Sequence, residues 1–234
     1  MNFHTVDFLG FMLALVVLLL ILPRLFTVTL LLGASYIFYG WSGPAYFTLL
    51  LLFSSVTDYS IARFFGPRPK LWKIGIWVSA LVNFSILGYF KYSNFVFSSL
   101  NPAITAFGLP TTLPILDVVL PLGISFYTFQ SFAYTFDVLT GRIEACRSFS
   151  RFLLFVTWFP QLVAGPISRA GTLLPQVEKV ESNLTGMANR LPAAAVMFAE
   201  GWLRKAFADL VAPTSDVFLA ILQQQPAQEP FLAS

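Results

Sequence analysis

Phe8-Leu9-Gly10-Phe11-Met12-Leu13-Ala14-Leu15-Val16-Val17-Leu18-Leu19-Leu20-Ile21-Leu22 runs without one charged or hydrogen-bonding side chain, and Pro23-Arg24 breaks it. In hydrocarbon every backbone N–H and C=O must be satisfied internally, and a helix does this within one segment. A secretory signal would need a basic leader and a small-residue cleavage site. Met1-Asn2-Phe3-His4-Thr5-Val6-Asp7 supplies neither, so the run reads as a retained first membrane helix. Similar runs follow from Leu25 to Trp41, from Ala45 to about Phe65, from Ile74 to Phe90 with Phe97 as the farthest extent, and from Val118 to about Leu139. Of the 234 residues, 57% are apolar and 11% charged; soluble domains carry about 25% charge. The mean hydropathy is +0.75. The length suits roughly six or seven spans of about 20 residues each. The expected fold is an all-α integral membrane protein, a multi-span helical bundle over residues 1–222, with a polar loop at 223–234.

Loop charges give an orientation. Arg63, Arg68, Lys70 and Lys73 follow the third run; Arg142, Arg147 and Arg151 follow the fifth, against Glu144. Cytoplasmic loops are enriched in Lys and Arg, so both loops are expected inside. The connection between the fourth and fifth runs has only Lys91 and Asp117. Counting back, Arg24 is inside and the N-terminus outside. These loop charges also explain the net charge of +3 without nucleic acid, because no basic face separates from the apolar runs.

Two stretches depart from plain spans. Ser98 to Asp117 contains Pro102, Pro110 and Pro114, too many for one long helix. Phe152 to Ile167 is short and contains Pro160, Gly165 and Pro166. Non-helical backbone at membrane depth survives only when shielded by protein or facing water. The second stretch therefore reads as a re-entrant or broken helix, or else as a short tilted span with a proline kink. Leu191 to Leu222 is more amphipathic, with Glu200, Arg204, Lys205 and Asp209 among apolar residues, and Lys205 and Asp209 can pair four residues apart. It suits either a span or a helix lying in the interface.

Charged and polar residues inside apolar runs are costly. Asp58 is expected to reach the cytoplasmic interface or to pair with a base such as Arg63, and Asp137 to pair near Arg142. Gln130 is a candidate interhelical donor, and Gln161 is placed to bond backbone groups freed by Pro160. The solitary Cys146 excludes an internal disulfide; nearby Arg142, Arg147 and Arg151 could lower its pKa, although an unreactive loop cysteine is the simpler reading. No phosphate loop or metal cluster is visible, and the only histidine is His4, so the commonest general base is missing from the interior.

Pro121-Leu122-Gly123-Ile124-Ser125-Phe126-Tyr127-Thr128-Phe129-Gln130 changes the kind of inference available. It resembles a signature of the membrane-bound O-acyltransferase family, in the branch of alginate O-acetyltransferases and D-alanyl transfer proteins. Phe159-Pro160-Gln161-Leu162-Val163-Ala164-Gly165-Pro166-Ile167-Ser168-Arg169, followed by Leu174-Pro175-Gln176, is similar to a second. Gly201, Arg204-Lys205 and Ala208-Asp209 are similar to a third; Tyr39-Gly40-Trp41 and Phe90-Lys91-Tyr92 also fit that branch. Asp137-Val138-Leu139-Thr140-Gly141 departs from its usual Asp-Val-Tyr-Arg-Gly. Members of the family continue into a Tyr-x-Asp-Phe-Ser-Gly-Tyr-Ser-Asp-like stretch and a catalytic histidine after tryptophan, neither of which is matched here. The sequence is thus expected to be the N-terminal half of an acyltransferase, ended as a fragment or by a frameshift, and inactive alone.

The resemblance implies transfer of an acetyl or other acyl group from a cytoplasmic thioester donor, acetyl-CoA or an acyl carrier, to hydroxyls of an exported polysaccharide. It implies the bacterial inner membrane and periplasmic accessory acetylation proteins, with no bound cofactor and no metal. On this chain it offers no catalytic residue but a tunnel wall, with Ser125, Gln130, Pro160, Gln161, Gly165, Pro166 and Arg169 as candidates. The alternatives are a transporter or permease-like subunit, for which Asp58 and Asp137 would line a path, and a non-catalytic membrane scaffold.

Overall fold

The computed structural model describes residues 5–41, 43–66, 68, 70–107, 113–116, 118–164, 168–180 and 187–223. These residues are helical without a strand. The chain divides into two compact units, Val17–Asn183 and Met1–Val16 with Leu184–Ser234.

In chain order the helices are α1 (Val6–Ile21), α2 (Thr27–Trp41), α3 (Tyr46–Phe65), α4 (Trp72–Leu87), α5 (Ser93–Ala106), α6 (Ile124–Leu139), α7 (Phe149–Thr157), α8 (Phe159–Ala164), α9 (Ala170–Glu178) and α10 (Met187–Gln223). A 3₁₀ turn, Arg24–Phe26, follows Pro23 and leads into α2. Proline and glycine set several other ends, since proline lacks an N–H and fixes φ.

Three sequence expectations shift here. The fourth run does not stop near Phe97: α4, a π-helical turn at Gly88–Tyr92 and α5 form one helix, Trp72–Ala106. Among the described residues it is the helix long and apolar enough to cross a membrane, and α1 is a shorter apolar helix. The fifth run becomes helical at Ile124 rather than Val118, because Gly123 takes φ 68 just ahead of it. The segment from Ser98 is helical as far as Ala106, through Pro102.

Two asparagines explain how α5 carries that proline. The Asn94 amide donates to Leu116 O at 2.8 Å and accepts from Leu116 N at 2.8 Å. Asn101 donates to Leu113 O at 3.0 Å and accepts from Leu113 N at 2.7 Å. Seven helical residues rise about 10.5 Å, and three extended residues cover about 10 Å. The two side chains therefore match the spacing of two peptide groups on the returning segment, and they fasten α5 near Pro102.

Within Val17–Asn183, α6 packs against α3 and α4, and α7 packs against α2, α3 and α9. Phe152, Leu153, Leu154, Phe155, Val156 and Thr157 are all buried, so α7 is covered on every side from Phe152 onward. Tyr134 stacks its ring 4.5 Å from that of Phe152. Gly75 lets α4 close on α6, since a Cβ there would stand 2.8 Å from Leu139 Cδ1. The core is apolar, but it also takes in polar side chains, while large apolar residues face outward. Ser54, Ser55, Asp58, Ser79, Asn83, Gln130, Ser131 and Thr135 are buried, while Leu49, Trp77 and Leu81 are exposed.

In the other unit, Phe8 of α1 stacks on Phe198 of α10 at 6.2 Å. The expected Lys205–Asp209 pair forms, and Arg204 pairs with Glu200 at 2.5 Å. Residues 224–234 of the expected polar loop lie outside the described residues.

Replacing Asn101 with leucine should free the Leu113 peptide while leaving α4 intact. Leaving such partly buried groups without partners costs about 1–3 kcal/mol. Hydrogen exchange should show the Leu113 amide losing protection and the amides of α4 keeping theirs.

Candidate functional site

α3, α4 and α6 each place a polar pair four residues apart on one face: Ser54 and Asp58, Ser79 and Asn83, Ser131 and Thr135. Helical residues at that spacing are neighbours. The three pairs converge. Asp58, with no exposed surface, accepts from Ser79 Oγ at 2.5 Å, from Asn83 Nδ2 at 3.1 and 2.9 Å, and from Ser131 Oγ. Ser54 Oγ donates to Asn83 Oδ1 at 3.0 Å, and Thr135 Oγ1 to the Asp58 carbonyl at 3.4 Å.

This corrects the expectation for Asp58. It neither reaches the interface nor pairs with Arg63. Asp58 points into the helix contact, while Arg63 is exposed at the end of α3. A buried carboxyl requires hydrogen bonds or a counter-charge, and here hydroxyl and amide donors supply them. The repeated polar pairs in apolar helices were the signal that sequence reading passed over. Asp137 does pair with Arg142, at 3.2 Å.

The second cluster lies where the two long motifs meet. α7 ends at Thr157, Trp158 turns the chain with φ −54 and ψ 105, and α8 restarts at Phe159. The segment is therefore a broken helix rather than a kinked span. The last four carbonyls of a helix lack intrahelical partners, and Phe155 is one of them. Gln130 Nε2 donates to Phe155 O at 2.7 Å. Gln130 thus acts as the expected interhelical donor, and it takes a freed backbone group of the kind assigned to Gln161, which is itself buried.

Gly123 meets the same break from the other side. A Cβ there would stand 2.5 Å from Leu162 O, and its φ of 68 is one that L side chains rarely adopt. Glycine at 123 thus satisfies a close approach and a left-handed turn together. Two residues on, Ser125 accepts from Lys91 Nζ at 3.2 Å. That lysine belongs to the π-helical turn, an interruption often found at functional sites.

Of the candidate tunnel residues, Gln130 and Gln161 are buried, Ser125 and Pro160 half-buried, and Arg169 exposed at the start of α9. Gly165 and Pro166 lie outside the described residues. The Gln130 and Gly123 contacts bring the first motif onto α7 and α8; Arg169 stands apart from them at the surface.

Tyr36 and Tyr39 of α2 and Tyr127 of α6 bring three buried hydroxyls, none with a hydrogen bond of sound geometry, although those of Tyr39 and Tyr127 face each other. Buried hydroxyls are usually satisfied, so this trio can offer donors to an incoming oxygen. Phe38, one residue away on α2, stacks 5.2 Å from Phe159 of α8. A cavity of 260 Å³ is lined by Leu31, Leu154, Trp158, Leu173, Gln176, Val177 and Val180.

Cys146 follows the simpler expectation, an unreactive cysteine, rather than the arginine-lowered one. Burial pushes its thiol up, and this outweighs the opposing influence of Arg151. Its N–H donates to Tyr134 Oη at 2.9 Å and its Sγ to Ser148 O at 3.3 Å, so it packs as a structural residue.

Sequence comparison places these features among known proteins. The chain is 38% identical over 198 residues, 82% of its length, to the Pseudomonas putida protein named probable alginate O-acetylase AlgI. It is 36% identical over 205 residues to the Azotobacter vinelandii protein of that name. It is 31% identical over 169 residues to the Helicobacter pylori peptidoglycan O-acetyltransferase. The chain spans about two fifths of the length of the alginate O-acetylases it matches. No family model and no solved structure matches.

The polar knot and the close approach at Gly123 lead to a stability prediction. Asn83→Leu strips bonds from both Asp58 oxygens and should cost about 1–3 kcal/mol, the scale for buried groups left without a partner. Gly123→Ala should also lower the thermal midpoint, whereas Ser125→Ala should leave it near the parent value. Thermal unfolding in detergent reads all three.

Proposed function

We propose that this chain, a member of the membrane-bound O-acyltransferase family in its alginate O-acetylase branch, forms part of a membrane O-acetyltransferase. In this reading the acetyl group comes from a cytoplasmic thioester, acetyl-CoA or an acyl carrier, and goes to hydroxyls of an exported polysaccharide. The observation that carries the proposal is the relation to alginate O-acetylases across 82% of the chain. The two long motifs meet at Gly123 and Leu162, and Gln130 of the first holds the Phe155 carbonyl just ahead of the second.

The role of these residues is to position. A helix broken inside a packed unit leaves backbone groups and side chains that a continuous span would hide, and such segments line substrate paths in membrane proteins. Gln130 holds the break in one geometry, and the hydroxyls of Tyr36, Tyr39 and Tyr127 can receive an acyl carbonyl. Orienting two reactants can itself supply a large part of a rate enhancement. Proton transfer from the acceptor hydroxyl falls to a histidine elsewhere in the enzyme. A transporter reading loses its support at Asp137, which is spent on Arg142, and at Asp58, which is enclosed by donors.

The setting proposed is the bacterial inner membrane, multi-pass, with the N-terminus outside and the arginine-rich connections in the cytoplasm. The many large apolar residues on the outside support it, since exposed Leu49, Trp77 and Leu81 suit lipid, while the serines inside can bond across helices.

A chimera tests the activity. This chain replaces the matching region of the Pseudomonas putida alginate O-acetylase in cells lacking that enzyme, and ester-linked acetate on alginate is measured. Restored acetylation is expected, with Gln130→Leu reducing it at least tenfold, on the scale of about 1.4 kcal/mol per decade. A stably inserted chimera that acetylates nothing would overturn the proposal. The orientation is tested by single cysteines in a Cys146→Ser background. Pro69→Cys should be shielded from an impermeant thiol reagent added outside, and Thr111→Cys should be labelled; the reverse pattern overturns it.

A further inference from the structure

The connection from α6 to α7 is a fixed piece of structure. Asp137 O accepts from Arg142 N at 2.9 Å, Tyr134 Oη accepts from Cys146 N at 2.9 Å, and Tyr59 Oη donates to Arg147 O at 2.9 Å. Gly141, at φ 74, makes the turn that brings residues 142–147 back along the end of α3. Two adjoining grooves result. One of 490 Å³ is lined by Arg63, Arg142, Glu144 and Arg147, and one of 520 Å³ by Glu144, Arg147, Arg151 and Glu178. Arg147 and Glu144 belong to both, so the two make one trough with arginines along it.

The charges are unevenly committed. Arg142 is held by Asp137. Arg63 and Arg147 are exposed, and neither forms an ion pair among the described residues. Glu144 lines both grooves beside Arg147, and Glu178 adds a second acid in the larger one. A guanidinium presents a planar fork of donors that fits two oxygens of one phosphate, and such pairs are stronger than neutral hydrogen bonds. Tyr59 and Tyr134 fix the backbone from which Arg147 projects, so this arginine is anchored, unlike a charge on a loose loop.

We propose that this trough is a binding site for a phosphoester, held between the Arg63 and Arg147 guanidiniums. The inference needs only the trough and stands independently of the acetyl-transfer reading. Two sources offer that chemistry, a soluble phosphate-bearing ligand and the headgroup of an acidic lipid.

The chain is reconstituted in phosphatidylcholine nanodiscs and titrated with coenzyme A as the soluble probe. In parallel, nanodiscs containing phosphatidylglycerol are analysed by native mass spectrometry for retained lipid. A soluble source predicts saturable coenzyme A binding, weakened about tenfold or more in Arg63→Gln/Arg147→Gln, on the scale of lost charge-assisted bonds. A lipid source predicts no coenzyme A binding and retained phosphatidylglycerol that the double variant loses. Glu144→Gln should tighten whichever ligand binds, and it keeps the test valid if the double variant fails to fold. The proposal is overturned if both probes behave alike with the parent chain and the double variant, or if Glu144→Gln changes neither.

Discussion

Asp58 brings a carboxyl group into the contact between α3, α4 and α6, and among the described residues its partners are hydroxyls and an amide rather than a cation. Such a group is tolerated only where donors replace the water it has lost. Ser79, Asn83 and Ser131 do so, and each lies at a fixed height and angle on its own helix. The three helices therefore cannot slide or rotate relative to one another without breaking a bond to the carboxyl. Apolar packing alone sets register weakly, because one leucine surface resembles another. A satisfied polar network inside a bundle specifies it.

With α6 fixed, the rest of Val17–Asn183 has a frame. Gln130 lies on α6 one residue before Ser131 and turns towards α7, where it takes the Phe155 carbonyl. Gly123, at the start of α6, admits the Leu162 carbonyl of α8. The same helix thus closes the polar knot on one side and supports the broken helix on the other. The arginine trough also depends on it, since Tyr134 of α6 anchors the backbone at Cys146.

Comparison of sequence and structure is most instructive at the helix ends and in the polar pairs. Pro23, the turn before α3 and the break near Pro160 were legible because proline and glycine act locally, through φ and the missing N–H. The extension of α4 into α5 was not. It depends on Asn94 and Asn101 meeting Leu116 and Leu113, 22 and 12 residues away. Lys205 with Asp209 was legible, since partners four residues apart share a helical face whatever the tertiary fold. The enclosure of Asp58 was not legible, since its nearest base in sequence is Arg63 whereas its partner Ser131 lies 73 residues away.

The amino-acid sequence by itself determined that the chain is helical, where α1, α2 and α3 begin and end, and which motifs it shares with the O-acyltransferases. Those properties follow from backbone chemistry, apolar runs and residues close together along the chain. Only the tertiary structure decided what the polar residues do: that Asp58 is enclosed, that Gln130 serves a carbonyl freed by the break, that Cys146 is buried, and that Arg63 and Arg147 border one trough. Each of these is a meeting of groups far apart in sequence. Burial and hydrogen bonding at such meetings depend on which helix faces which, and no local pattern along the chain encodes that choice.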